Sequence, residues 1–207
     1  MKYLILLSAL FTVVPAFAEV PGNAEKTNPL ETGQPVPAVI VADSDGNPVS
    51  LKEKVSGNPS VLIFYRGSWC PYCNKHLASL LDIEEDLRDL GYELIAISPD
   101  RPEGLKKAIE ENNLNYTLLS DSSAEAARAF GVAFKVSLAT RTLYKGYGID
   151  LEEASGKDHH ILPVPAVFVV DEKGVIQFVY SNPDYKVRLS PEKILKAAKD
   201  NAPAEKE

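Results

Sequence analysis

Hydrophobic positions along this chain alternate between two periods, and the switches mark the predicted elements. Residues 60–65 (SVLIFY) form an unbroken apolar run, the pattern of a strand covered on both faces. From Cys73 onward, Leu77, Leu80, Leu81, Leu87 and Leu90 recur at helical spacing until Gly91 closes the segment. A second apolar strand follows at 93–97, then a helix whose start is marked by Asp100 and Pro102, then a strand at 116–119. Ser122 with Glu125 reads as a capping box for a short helix ending at Gly131. Residues 132–157 lack a clear period and read as an inserted helix and loop. Two runs, 166–170 and 175–180, flank Asp171-Glu172-Lys173-Gly174 as a hairpin. The last helix takes Ser190 as N-cap and Pro191 at its first position, with Ile194, Leu195 and Ala198 on the inner face. An earlier, smaller hairpin, 38–42 with 48–51, turns at Asp45-Gly46.

Strand–helix–strand order implies parallel pairing with right-handed crossovers, and the late hairpin adds antiparallel strands. The expectation is an α/β domain, 38–207, with a mixed central sheet and helices on both faces. Residues 19–37 are rich in Pro, Gly and polar residues and read as an extended leader. Residues 1–18 carry a short basic start at Lys2, an apolar stretch and Ala16-Phe17-Ala18, which together predict a signal peptide cleaved near Ala18. The alternative, an uncleaved anchor, has roughly 15 apolar residues where a span needs ~20, and Pro15 interrupts it. The expected location is periplasmic or secreted, with no stable membrane anchor.

Composition narrows the chemistry. The 207 residues are 45% hydrophobic and 25% charged, enough for a packed core. The net charge of −7 has the wrong sign for a broad nucleic-acid surface. Only two cysteines occur, Cys70 and Cys73, so a disulfide-stapled scaffold is excluded.

That pair sits where a buried strand gives way to a helix. Cysteines at i and i+3 in a first helical turn close a small ring with little backbone movement. Cys70 faces unpaired N–H groups and the positive end of the helix dipole, which favour its thiolate. Pro71 suits the first turn, where its missing N–H has no partner to lose. Cys70 is then the nucleophile and Cys73 the resolving thiol. Competing readings are a zinc site, for which His76, His159 and His160 are the other donors, a purely structural disulfide, and an inert core pair. Trp69 and Arg66 beside the pair argue against the last.

Three segments carry a family resemblance. YRGSWCPYC resembles the active-site segment of thioredoxin-fold proteins. The stretch ELIAISPDRPEGLKKAIEENNLNYTLLSDSSAEAARAFGV is similar to peroxiredoxins of the alkyl hydroperoxide reductase and thiol-specific antioxidant family. VPAVFVVDEKG resembles the redoxin strand that opens with a cis-proline. The likeness spans about Gly33 to Ala198 and fits a peroxiredoxin-like branch carrying a thioredoxin-type CxxC. It implies a thioredoxin-like fold with a peroxiredoxin-like insertion, and no cofactor or metal. It assigns Cys70 and Cys73 the catalytic roles. Trp69, Pro71, Tyr72 and Pro165 become supporting residues, with Pro165 as the cis-proline facing the disulfide.

The chain departs from the family pattern at three places. Peroxiredoxins carry Thr or Ser three residues before the nucleophile and Pro four before that; here stand Gly67 and Ile63. Their late-strand arginine is replaced by Pro165, leaving Ser68 and Arg66 as candidate substitutes. These departures favour an exported thiol-disulfide oxidoreductase acting on a protein or small-molecule disulfide. A thiol peroxidase reducing peroxides through Cys70 is the alternative, and a non-enzymatic redox-sensing module is a third reading. Either enzyme needs an external thiol electron donor. Hairpin polarity adds one expectation: the second strand must finish at the active-site end. The loop after it then brings Tyr185 and Arg188 near Cys70, where Arg188 or Arg66 stabilises a thiolate or oxyanion. His159 and His160 are candidate proton donors.

Overall fold

The computed structural model describes residues 19–202, so the segment read as a signal peptide lies outside the described residues. After a 3-10 turn at Ala24–Lys26 come β1 (Ile40–Ala42), β2 (Pro48–Ser50) and α1 (Leu51–Lys54). The central units are β3 (Ser60–Phe64), α2 (Pro71–Asp89), β4 (Glu93–Ser98), α3 (Pro102–Asn112), β5 (Thr117–Ser120) and α4 (Glu125–Ala129). Then follow β6 (Ala133–Lys135), α5 (Leu138–Gly146), α6 (Leu151–Ser155) and β7 (Ile161–Pro163). β8 (Ala166–Val170), β9 (Ile176–Ser181) and α7 (Pro191–Asp200) complete the chain. No helix among the described residues is long and apolar enough to cross a membrane.

Seven strands form one sheet in the order β2-β1-β5-β4-β3-β8-β9. β3, β4 and β5 are parallel, whereas β8 is antiparallel to β3 and β9 to β8. Alternate side chains of the central strands feed two cores. Val61 and Ile63 of β3 face α2, α3 and α7; Leu62 and Phe64 face Leu51, Ala127 and Phe130. On that second face Phe64, Phe130 and Phe168 pack ring to ring at 4.9, 5.0 and 5.8 Å.

The registers bring Phe64, Ala166 and Ser181 into one row, so β3 ends, β8 begins and β9 ends at the same edge. That row collects the chain's chemistry at one end of the sheet. Pairing runs on by one backbone bond after β9, from the Asn182 N–H to the Pro165 carbonyl.

The sequence reading differs from the structure in several local details. The 132–157 segment, read as an inserted helix and loop, contains β6 and two helices, α5 and α6, and β6 pairs with β7 in a separate two-stranded ribbon. Three-residue strands leave no periodic signal. α4 is capped not by a Ser122–Glu125 box but by the Asp121 carboxylate, which accepts from the N–H groups of Ala126 and Ala127 at 2.9 and 2.8 Å. Pro165 follows a trans bond, since the described residues hold no cis peptide; the cis geometry implied by resemblance is not present.

The 19–37 segment is extended apart from its 3-10 turn, and it is tied down. Its N–H groups at Asn28, Leu30, Gly33 and Val36 donate to the carbonyls of Gly131, Phe130, Ile176 and Gly174. The fit is tight at Gly131, which has φ +70°; a Cβ there would lie 1.9 Å from the Asn28 carbonyl oxygen. Gly131→Ala is therefore expected to cost about 1–3 kcal/mol of unfolding free energy, from left-handed backbone strain and loss of this approach. Urea unfolding of the two proteins measures it, and an unchanged midpoint would show that the segment does not depend on this contact.

Candidate active site

α2 begins at the end of β3's run-out, with Cys70 as N-cap and Pro71 at the first helical position. Both cysteines are reduced and buried, at 1% exposure for Cys70 and 0% for Cys73. The Cys73 thiol donates to the Cys70 sulfur, and this bond does most to bring the Cys70 thiol down to about 6. Burial opposes it; the Arg66 charge, the Cys73 backbone N–H and Arg188 add to the lowering. Cys73 goes the other way. Burial first, then the same bond given away to Cys70, push its thiol well above the ordinary value, with the Arg188 charge and the Arg66 backbone N–H opposing.

Each sulfur has its own guanidinium. Arg66 Nη1 lies 3.9 Å from Cys70 Sγ, and Arg188 Nη2 donates to Cys73 Sγ at 3.3 Å. Arg66 is buried at 4% exposure. Its guanidinium carbon lies over Tyr185 at 4.1 Å, Trp69 at 4.9 Å and Tyr144 at 5.6 Å, and Nη2 donates to the Tyr144 hydroxyl. Among the described residues neither arginine pairs with a carboxylate. Tyr72 is half exposed and meets Tyr185 edge-on at 5.7 Å. A cleft of about 260 Å³ opens on this cluster, with Arg66, Phe134, Tyr144, Pro165 and Tyr185 in its wall.

The loop before Cys70 is shaped from beneath by Asp100. Its Oδ2 accepts from the Ser68 N–H at 2.6 Å and from the Ser98 hydroxyl at 3.1 Å, and burial pushes its carboxyl up to about 6. Gly67 passes over it with φ +144°; a Cβ there would come within 2.4 Å of Trp69 Nε1 and 2.8 Å of Asp100 Oδ1. Position 67 thus has no room for the Thr or Ser of the family pattern. Ser68 faces Asp100, so of the two candidate substitutes only Arg66 reaches Cys70.

The structure brings together Arg66, Trp69, Cys70, Pro71, Tyr72, Cys73, Pro165, Tyr185 and Arg188. It places Arg188 in hydrogen-bond contact with Cys73 rather than Cys70. The histidines go elsewhere. His159 bonds the Ser122 carbonyl and His160 bonds Glu152, away from the sulfurs. His76 Nε2–H donates to the Leu189 carbonyl at 3.1 Å, and burial holds its imidazole down to about 4. No group of three potential metal-ligating side chains is gathered among the described residues. Tyr144 and Asp100 were missed by sequence reasoning. Tyr144 arrives from the aperiodic segment with no signal, and Asp100 carried one, but as a helix start.

Residues 32–179 match the family model described as AhpC/TSA family. The chain is 33% identical to Peroxiredoxin Bcp of Escherichia coli (strain K12) over 135 residues, 65% of this chain and 86% of that protein. It is 29% identical over 191 residues to the chloroplastic Peroxiredoxin Q of Oryza sativa subsp. japonica, covering 90% and 75% of the two chains. Among solved structures, peroxidoxin BcpB of Mycobacterium tuberculosis superposes with a TM-score of 0.65 at 23% identity, over 83% of this chain and 98% of that one. This likeness and the sheet order give the thioredoxin-like peroxiredoxin fold.

The shared proton makes a titration test. In reduced protein, ultraviolet thiolate absorbance should grow as pH rises through about 6 and should vanish from that range in Cys70→Ser. Cys73→Ala should move the transition upward, because the donor that favours the charged form is gone. A midpoint that stays put in Cys73→Ala would remove the Cys73 hydrogen bond as its cause.

Proposed function

The chain belongs to the AhpC/TSA family, and we propose that it is a thiol peroxidase in which Cys70 takes the peroxide oxygen and Cys73 closes the disulfide. The observation that carries this reading is a buried Cys70 thiol lowered to about 6 with the Arg66 guanidinium beside it. A sulfur at 1% exposure offers almost no surface to the disulfide of a folded protein. A peroxide is small, and the cleft ending on Arg66 suits it. Family membership therefore supports the peroxidase reading over the disulfide exchange that the motif departures favour.

The chemistry follows from the arrangement. The Cys70 thiolate attacks one peroxide oxygen, the O–O bond breaks, and the leaving oxygen departs as alcohol or water after taking a proton. Negative charge moves from sulfur to that oxygen. Arg66, set among three aromatic rings and without a carboxylate partner among the described residues, has donors to follow it. In the next step Cys73 displaces hydroxide from the Cys70 sulfenic acid. An external dithiol then reduces the pair. Export after cleavage near Ala18 belongs to the proposal as well and rests on the sequence pattern of residues 1–18.

Reduced protein mixed with hydrogen peroxide or an organic hydroperoxide should gain one disulfide per chain, read by loss of free thiol and by Trp69 fluorescence. Arg66→Gln should slow oxidation about tenfold or more, the scale of removing a charge-assisted hydrogen bond. A fast reaction with a small disulfide and none with either peroxide would overturn this reading in favour of thiol-disulfide exchange.

A further inference from the structure

Resolution poses a separate problem from peroxide attack. In the reduced pair Cys73 keeps its proton, lent to Cys70, and at 0% exposure it has no solvent to carry a charge. Once Cys70 is a sulfenic acid, its sulfur is neutral and the reason to hold that proton weakens. Cys73 must then become a nucleophile inside a dry core. The Arg66 guanidinium does not serve it, being directed at Cys70, Tyr144 and Tyr185, although the Arg66 backbone N–H reaches the Cys73 sulfur.

We propose that Arg188 is the catalytic residue of this second half-reaction, stabilising negative charge on the Cys73 sulfur as it attacks Cys70. Its Nη2 is 3.3 Å from Cys73 Sγ, while its buried Nε and Nη1 have no hydrogen-bond partner among the described residues. With Nε and Nη1 buried, the guanidinium has the resolving sulfur as its one hydrogen-bond acceptor among the described residues. Its position is fixed from the helix that carries the sulfur. His76, one turn after Cys73 on α2, donates to the carbonyl of Leu189, the next residue after Arg188. His76 is a positioning residue in this arrangement, and its neutral imidazole adds no competing charge.

The step balances within the pair. The Cys73–Cys70 S–S bond forms, the Cys70 S–O bond breaks, and the Cys73 proton leaves with the hydroxyl as water. The Cys70 sulfur is reduced and the Cys73 sulfur oxidised, with no outside electron acceptor. Arg188 lowers the cost of the moment at which sulfur bears the charge, and it keeps the sulfenic acid short-lived, ahead of over-oxidation to sulfinic acid.

This assignment rests on the peroxidase reading, and stopped-flow Trp69 fluorescence separates the two. The wild type should show a phase whose rate rises with peroxide concentration, then one independent of it. In Arg188→Leu the second phase should slow about tenfold to hundredfold. The first should change by less than about threefold, because Arg188 reaches Cys70 only through space. Dimedone should capture the accumulated sulfenic acid, sulfinic acid should appear at lower peroxide, and Arg188→Lys should recover part of the lost rate. Equal slowing of both phases, no recovery by Lys, or an unchanged second phase would overturn the assignment. If the wild type lacks a peroxide-dependent phase, the peroxidase reading fails on its own. Release of thiol from an aromatic mixed disulfide preloaded on Cys70 then reads the same Cys73 attack, and equal release by wild type and Arg188→Leu would overturn the role of Arg188.

Discussion

A single shared proton between two buried sulfurs organises this site. One hydrogen bond, from Cys73 to Cys70, lowers one thiol and raises the other, so a chemically symmetric pair becomes an attacker and a reserve. The bond depends on both residues belonging to the first turn of α2, with Cys70 as the half-helical cap. It also depends on burial, since water at either sulfur would supply the solvation for which the two residues now rely on each other and on the protein. Everything nearby is arranged to tolerate charge in a place that excludes solvent.

Two guanidinium groups show how that tolerance is met. Burying a cation is costly unless an anion or fixed dipoles compensate it. Arg66 has three aromatic faces, a tyrosine hydroxyl and the Cys70 sulfur; Arg188 has the Cys73 sulfur and two unpartnered donors. A carboxylate beside either would satisfy the arginine and remove its influence on the sulfur. The one buried carboxyl near the loop, Asp100, is instead turned to the Ser68 N–H and the Ser98 hydroxyl. Its cost falls on position 67, where only glycine fits.

The location of the reactive pair was legible in the sequence, because a two-sided apolar strand followed by a helical period marks the strand-to-helix junction. Arg188 near the sulfurs was legible too, by a different route: an antiparallel hairpin returns the chain to the edge where it entered, whatever its side chains are. What could not be read were contacts set by tertiary packing alone. Tyr144 reaches Arg66 from 78 residues away on a helix with no buried residue of its own. The choice of Asp121 over Ser122 as cap depends on which side chain lies under the helix end, a matter of burial rather than of spacing. The tethering of 19–37 was hidden because its Pro- and Gly-rich composition matches a free linker; its order comes from backbone bonds to residues far along the chain.

The same electrostatics bears on the return half of a redox cycle. Whatever stabilises the Cys70 thiolate stabilises the reduced pair, because the disulfide carries no charge for Arg66 or the helix N-terminus to act on. On oxidation Arg66 loses the charge of the Cys70 thiolate while remaining buried, which raises the free energy of the oxidised form relative to the dithiol. A site built to make Cys70 reactive therefore also makes its disulfide easy to reduce. Cys73 tempers this. Its thiol is disfavoured as an anion, so complete reduction leaves the charge on Cys70 and a proton on Cys73. The Arg66 charge and the Cys73 backbone N–H act at Cys70 in the disulfide as well, so Cys70 is the better leaving thiolate and Cys73 the site of attachment for an external thiol. Burial of Cys73 at 0% exposure against 1% for Cys70 leaves geometry nearly neutral between them. Once the donor's second thiol has released Cys73, the proton returned there bonds to Cys70 again and holds it as the thiolate.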